Sequence, residues 1–253
     1  MSVVERARLA LSLLDLTSLN NDDTDAVIEK LCARAVTPRG KVAAVCVWPR
    51  FVALARQRLV GTGVKVAAVA NFPMGTTDIA VAVRETTGIV VAGGDEVDVV
   101  FPYNAWLNGD RKIGSDLIKA CKEACGGKTI LKVILETGCL RAESEIADAS
   151  AMAIAAGADF IKTSTGKATI AATPDSARIM LSAIKTSGRP CGFKAAGGIR
   201  DARTAAAYLD LAAGIMGEGW ISPMTFRFGA SGVLNDLLAV IEGRAPAAPA
   251  RGY

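Results

Sequence analysis

Residues 143–163 read ESEIADASAMAIAAGADFIKT. The first fifteen begin acidic, continue with apolar residues at helical spacing and close on Gly157, the stop of a helix. ADFIKT (158–163) follows as a short apolar run, a strand. Upstream lies another such run, TILKVILE (129–136). Downstream, TPDSARIMLSAIK (173–185) opens on Thr-Pro with an early Asp, a helix start. Strand, helix, strand, helix in that order predicts a parallel sheet.

The same unit recurs along the chain. Further strand candidates are LLDLTSL (13–19), KVAAVCVW (41–48), VKVAAVAN (64–71), EVDVVFP (96–102), CGFKAA (191–196) and TFRFG (225–229). Most are continuous apolar runs rather than alternations, as strands covered on both faces require. DARTAAAYLDLAAG (201–214) is a further helix. Eight strands with helices between most pairs, in 253 residues, predict an α/β fold, a closed (β/α)8 TIM barrel preceded by a short helix over 3–12. An open doubly wound sheet is the runner-up. The stretch 213–224, AGIMGEGWISPM, leaves a strand open. The barrel is expected to occupy 1–243 as one domain. The remainder, RAPAAPARGY (244–253), is expected to be a flexible C-terminal tail.

Composition narrows the function. Basic and acidic residues number 29 and 25 and are mixed along the chain. No basic run and no basic-aromatic interleaving appears, so nucleic acid is not an expected partner. No apolar run approaches the ~20 residues of a membrane span. The opening MSVVERARLALSLL carries charges where a signal peptide needs apolar residues. Cysteines stand at 32, 46, 121, 125, 139 and 191 with no CxxC pair, so neither a zinc cluster nor a disulfide framework is predicted. Cys121 and Cys125 share a helix face without further ligands. A reduced, cytoplasmic protein is expected. There is no histidine. Acid-base work must fall to Lys, Asp, Glu, Tyr, Cys or water.

Charges inside the apolar runs need a reason, because a buried charge is costly unless paired. Asp15, Asp98, Lys132, Lys162 and Lys194 are such charges. Each is either a satisfied ion pair or a working group. Lys162 and Lys194 end strands six and seven, which are neighbours in a barrel. If both point inward, their repulsion favours a neutral amine, a nucleophile toward carbonyls. Moving a lysine from ~10.4 to ~7.5 takes about 4 kcal/mol. Asp98 is placed to hold the second lysine protonated and orient a water.

Three glycine-containing turns follow strands six, seven and eight. They are STGK with Gly166 and Lys167, AAGGIR (195–200) with Gly197 and Gly198, and GASGV (229–233) with Ser231 and Gly232. One such turn alone is compatible with simple chain reversal. Three together, the last leading into a helix, favour a phosphate site at the barrel rim.

EVDVVFPY, LKVILETG, GADFIKTSTGK, ATPDSARIM, GFKAAGGIR and FRFGASG, in this order, closely resemble the 2-deoxyribose-5-phosphate aldolase family. LLDLTSLNNDDTD and AVCVWPRFV are similar too, so the resemblance runs from about residue 8 to about 242. It implies a metal-free, cofactor-free class I aldolase that reversibly cleaves 2-deoxy-D-ribose 5-phosphate to D-glyceraldehyde 3-phosphate and acetaldehyde. It implies Lys162 as the Schiff-base lysine, Lys194 as its tuning partner and Asp98 in the proton relay with a water. Asp15 would lie near the substrate hydroxyls. Gly166, Lys167, Gly197, Gly198, Ser231 and Gly232 would hold phosphate, and Tyr253 would serve proton transfer at the acetaldehyde carbon. A homodimer and a role in deoxynucleoside salvage are further implications.

Two positions depart from the family pattern. Ala195 stands where many relatives have proline, and Gly232 where a second serine is common. The latter predicts a weaker preference for the phosphorylated sugar. Cys46 and Cys191 are expected in the core rather than as nucleophiles. The alternatives are another sugar-phosphate Schiff-base aldolase, an isomerase on the same barrel, or a catalytically idle sugar-phosphate-binding barrel.

Overall fold

The computed structural model describes residues 1–140 and 142–244. The expected tail therefore lies outside the described residues from position 245 onward, Tyr253 included.

Helix α1 (Val3–Ser12) comes first, and its start is fixed reciprocally. The Ser2 hydroxyl accepts from the Glu5 amide at 3.2 Å, and the Glu5 carboxylate accepts from the Ser2 amide at 2.6 Å. Strands and helices then alternate: β1 (Leu14–Thr17), α2 (Asp25–Arg34), β2 (Ala44–Val47), α3 (Val52–Arg58), β3 (Lys65–Ala70), α4 (Ile79–Val91) and β4 (Glu96–Val100). The second half continues with α5 (Tyr103–Leu107), α6 (Arg111–Cys125), β5 (Ile130–Ile134), α7 (Glu143–Ala155), β6 (Phe160–Lys162), α8 (Pro174–Ser187), β7 (Gly192–Ala196), α9 (Ala202–Met216), β8 (Phe226–Ala230) and α10 (Val233–Ile241). Each strand pairs in parallel with the next, and β8 returns to β1, so the sheet closes as a (β/α)8 barrel. No described helix is long and apolar enough to cross a membrane.

Two expected boundaries change. The run 41–48 is not one strand. Residues Gly40–Lys41 pair antiparallel with Val36–Thr37 in a small hairpin, and β2 begins only at Ala44. Over 213–224 there is no strand. Helix α9 continues to Met216, Gly217 ends it at φ +92°, and a single 3-10 turn follows over Glu218–Trp220.

Alternation along each strand divides the structure into two regions. Val45, Val66, Val97, Val99, Leu131, Val133, Ile161, Phe193 and Phe228 face outward and join the main apolar core with the helices. Each such fully buried side chain stabilises the fold by about 1.5–3 kcal/mol. Inside the barrel lies a separate small apolar cluster of Leu19, Cys46, Ala67 and Val69. The same interior carries seven charged side chains, Asp15, Glu96, Asp98, Lys132, Lys162, Lys194 and Arg227, all buried.

Candidate active site

Strand register brings these charges together inside the barrel. Asp98 lies opposite Lys132, Lys162 opposite Lys194, and Lys194 opposite Arg227. Asp98 is the hub. Its Oδ2 accepts from Lys162 Nζ and from Lys194 Nζ, each at 2.8 Å, and its Oδ1 accepts from Lys132 Nζ at 2.9 Å. Lys194 has a second partner, Asp15 Oδ2, at 2.5 Å. Lys132 also donates to Glu96 Oε2 at 2.5 Å. The guanidinium of Arg227 reaches Asp15 Oδ1 at 2.6 Å and Glu96 Oε1 at 2.8 Å.

The electrostatics follow from this pairing. Burial alone would push the Asp98 carboxyl up, but Lys132, Lys162 and Lys194 together hold it well below the usual carboxylate range. Asp15 is likewise lowered against its burial by Lys194, Arg227 and Lys132. Burial opposes the Lys194 ammonium, yet Asp15 and Asp98 overcome it and hold that lysine above its ordinary value. Lys132 is raised in the same way by Asp98 and Glu96. Lys162 ends β6 as expected, but Lys194 lies in the middle of β7 rather than at its end, and the two do not meet as a bare cationic pair; a carboxylate oxygen stands between them. Lys162 has that one shared oxygen as its ion-pair partner, whereas Lys132 and Lys194 each have more than one carboxylate.

A cavity of about 590 Å³ opens at the carboxyl ends of the strands. Of the three interior lysines, Lys162 alone lines it. Gly166, Lys167, Gly197, Gly198, Ser231 and Gly232 line the rest, with Thr17, Asn20, Thr165 and Arg200. All six residues singled out at the three glycine turns thus share one concavity with Lys162. Asp15, Asp98 and Lys194 lie beneath it, fully buried. Asp15 accordingly faces Lys194 and Arg227 rather than the cavity. A larger groove of about 720 Å³ between α7 and α8 is lined mainly by Ala, Ser and Ile. It gathers no reactive cluster, so the candidate site is the barrel mouth.

The hydroxyls of Thr163, Ser164 and Thr165 explain why the loop after β6 holds its shape. Thr163 Oγ1 accepts from the Ala196 amide at 3.0 Å, and Ser164 Oγ donates to the Ala196 carbonyl at 3.0 Å. Thr165 Oγ1 donates to Glu136 Oε2 at 2.5 Å and accepts from the Lys167 amide at 3.0 Å. Lys167 Nζ then reaches across the mouth to the Leu19 carbonyl at 2.8 Å. On β7's side, Gly197 and Gly198 both have positive φ, +82° and +80°. A Cβ on Gly197 would come within 2.5 Å of Ala171 Cβ, so only glycine fits that turn. On β8, a Cβ at Gly229 would sit 3.0 Å from Lys194 Cε.

Several residues of the site escaped the sequence reading. Glu96 and Arg227 are charges inside the runs EVDVV and FRFGA, the same signal that singled out Asp98 and Lys194. Glu136 ends the run TILKVILE and anchors Thr165; its backbone adopts φ +50°, uncommon for a non-glycine residue. Burial pushes its carboxyl up. Arg200 closes the AAGGIR turn and lines the cavity. Cys46 and Cys191 are buried, and burial pushes both thiols up, with Cys191 at about 12. Neither thiol is poised as a thiolate.

A sequence model described as DeoC/LacD family aldolase matches residues 9–235. A solved Toxoplasma gondii structure, provisionally named a deoxyribose-phosphate aldolase, superposes with a TM-score of 0.86 at 27% identity, over 96% of this chain and 98% of that one. A Coccidioides immitis structure with the same provisional name gives 0.79 at 30% identity, over 93% and 86%. The deoxyribose phosphate aldolase of Aeropyrum pernix, described as tetrameric, gives 0.77 over 94% and 96%. At 23% identity that last likeness is one of fold.

Proposed function

The chain belongs to the DeoC/LacD family of aldolases, and on that premise we propose that it cleaves 2-deoxy-D-ribose 5-phosphate through an imine on Lys162. The carrying observation is the Asp98 carboxylate, bridging Lys162 and Lys194 at 2.8 Å each beneath a cavity that only Lys162 of the interior lysines enters.

Each group has a task. The neutral amine of Lys162 attacks the C1 aldehyde of the open-chain sugar, and loss of water gives a protonated imine. Asp98, through a water, takes the proton of the C3 hydroxyl. The C2–C3 bond breaks, its electron pair moves toward the imine nitrogen, and D-glyceraldehyde 3-phosphate departs. The resulting enamine is protonated at C2, and water releases acetaldehyde and regenerates the amine. Lys194, kept charged by Asp15 and Asp98, supplies a fixed positive potential and a proton donor beside the reacting nitrogen. Asp15 acts through Lys194, and contact with the sugar hydroxyls is the role the family resemblance adds.

The phosphate would lie at the rim, against the amides of Gly166, Gly197, Gly198 and Gly232, the Ser231 hydroxyl and the Lys167 ammonium. Backbone amides of glycine turns and the start of α10 suit an anion. Lys167 would exchange the Leu19 carbonyl for phosphate. Tyr253, by the same resemblance, serves proton transfer at C2. Residues 1–243 act as one domain. The six free cysteines suit a cytoplasmic location, and a homo-oligomer is the expected assembly.

Borohydride reduction in the presence of acetaldehyde, followed by peptide mass analysis, tests the assignment. A reduced two-carbon adduct on Lys162 and loss of cleavage in Lys162→Ala are expected. An adduct on another lysine, or retained cleavage in Lys162→Ala, overturns it.

A further inference from the structure

Six of the seven interior charges close into a ring. Arg227 holds Asp15 at 2.6 Å, Asp15 holds Lys194 at 2.5 Å, and Lys194 holds Asp98 at 2.8 Å. Asp98 holds Lys132 at 2.9 Å, Lys132 holds Glu96 at 2.5 Å, and Glu96 returns to Arg227 at 2.8 Å. The signs alternate all the way round, three cations with three carboxylates. Lys162 hangs from this ring at Asp98 as a seventh charge without a carboxylate of its own.

Stability does not ask for such a ring. A barrel interior can be filled by branched apolar side chains, and a buried ion pair seldom outperforms them. Arg227 and Glu96 do not line the mouth cavity, so direct contact with substrate does not account for them either. Their bonds do: Arg227 donates to one oxygen of Asp15, whose other oxygen faces Lys194, and to both oxygens of Glu96, one of which it shares with Lys132. The guanidinium cannot lose its proton near neutrality, so its charge is a constant in the ring.

We propose that Arg227 and Glu96 are positioning residues that complete a charge-neutral ring, leaving Lys162, among the described residues, the one interior ammonium with no ion-paired carboxylate of its own. This rests on the imine reading of Lys162. The ring satisfies Asp98 before Lys162 is counted, so release of the Lys162 proton leaves the interior neutral rather than anionic. The other ionisable groups facing the cluster lie outside the ring. Cys46 on β2 is a thiol that burial keeps protonated. Glu136, at the end of β5, is bonded to Thr165 and acts on Lys162 only through space, beyond ion-pair distance, and Lys167 and Arg200 stand at the rim.

Removing one ring charge of either sign gives opposite results. Arg227→Met leaves an excess carboxylate, and the cluster keeps its proton to higher pH. Glu96→Gln leaves an excess cation, and the proton departs at lower pH. At an effective dielectric near 20 and a separation of one or two side chains, each displacement is about one pH unit. The experiment is the pH dependence of cleavage kcat/KM, which reports the free enzyme, in the full chain for the parent, Arg227→Met, Glu96→Gln, the double variant and Arg227→Lys. The acidic limb is expected to move up in the first variant, down in the second, and to return in the double variant and in Arg227→Lys. KM should change less than the limb. Shifts in the same direction, or an unmoved limb with only a lower rate, overturn the proposal. If Arg227→Met does not fold, Glu96→Gln must still move the limb down and Arg227→Lys must leave it in place. Borohydride trapping separates the two readings. An adduct on Lys162 with an unmoved limb sinks the ring alone, whereas no adduct in the parent sinks the imine assignment with it.

Discussion

Asp98 uses two oxygens for three ammonium groups, and that arrangement makes it hard to replace. Asparagine keeps the shape but turns one acceptor into a donor facing a lysine. Asp98→Asn is therefore expected to lower kcat by roughly 10²–10⁴ with a smaller change in KM, measured by coupled assay of the aldehyde product. Gly232 poses the opposite case, a group that is missing. It precedes α10 with no side-chain cap, and a Cβ there would meet nothing within 4 Å. A serine fits without displacement and adds one hydroxyl beside Ser231. One neutral hydrogen bond contributes about 0.5–1.5 kcal/mol. Gly232→Ser should thus raise the preference for deoxyribose 5-phosphate over deoxyribose by about two- to tenfold in kcat/KM. An unchanged or reduced preference would show that the rim already holds phosphate fully through backbone amides.

At the scale of elements, the site depends on a loop fastened at both sides. Glu136 anchors Thr165 from β5's end, and Ala196 on β7 receives Thr163 and Ser164. Thr165→Val removes the hydroxyl that bonds Glu136 and caps the Lys167 amide. The expected result is a higher KM for the phosphorylated sugar, with Schiff-base trapping of acetaldehyde at Lys162 retained. Loss of trapping instead would mean that the fastening shapes β6 itself. This loop also shows where sequence reading succeeds and where it stops. The strands were legible because outward-facing Val, Ile, Leu and Phe make continuous apolar runs, and Gly157 marks the helix end before β6. The small hairpin at 36–41 was not, since Lys41 leads straight into the apolar residues from Val42 onward while Gly40–Lys41 pair back with Val36–Thr37. The strand charges were legible as costly, but their partners were not. Whether Lys162 faces Lys194 directly or across Asp98 depends on register between β4, β6 and β7, positions 64 and 96 residues apart. Glu96 and Arg227 carried the same signal as Asp98 and could have been found by it. Glu136 could not, because its role rests on a left-handed backbone conformation and a contact 29 residues away.

At the scale of the whole molecule, a barrel with seven interior charges ties its stability to pH from both ends. Asp15 and Asp98 have lowered values in the folded state. Their contribution is fully present above the unfolded carboxylate value of ~3.9 and is lost as pH falls through the lowered folded values. Lys132 and Lys194 are raised. Their contribution is fully present below the unfolded lysine value of ~10.4 and is lost as pH rises through the higher folded values. Between those limits these four groups contribute a constant amount, so the urea midpoint should be flat with respect to Asp15, Asp98, Lys132 and Lys194 from about pH 5 to about pH 9. Below about pH 4 it should fall steeply, because unfolding exposes carboxylates that take up protons the folded barrel refuses. Asp15→Asn removes one of them. The variant should be less stable near neutrality, since Arg227 and Lys194 each lose a carboxylate partner. Its stability should also fall less steeply in acid, with about one proton fewer taken up on unfolding. Urea titrations of parent and variant across the acid range measure that slope. Equal slopes would place the acid sensitivity in the surface ion pairs instead of the barrel interior.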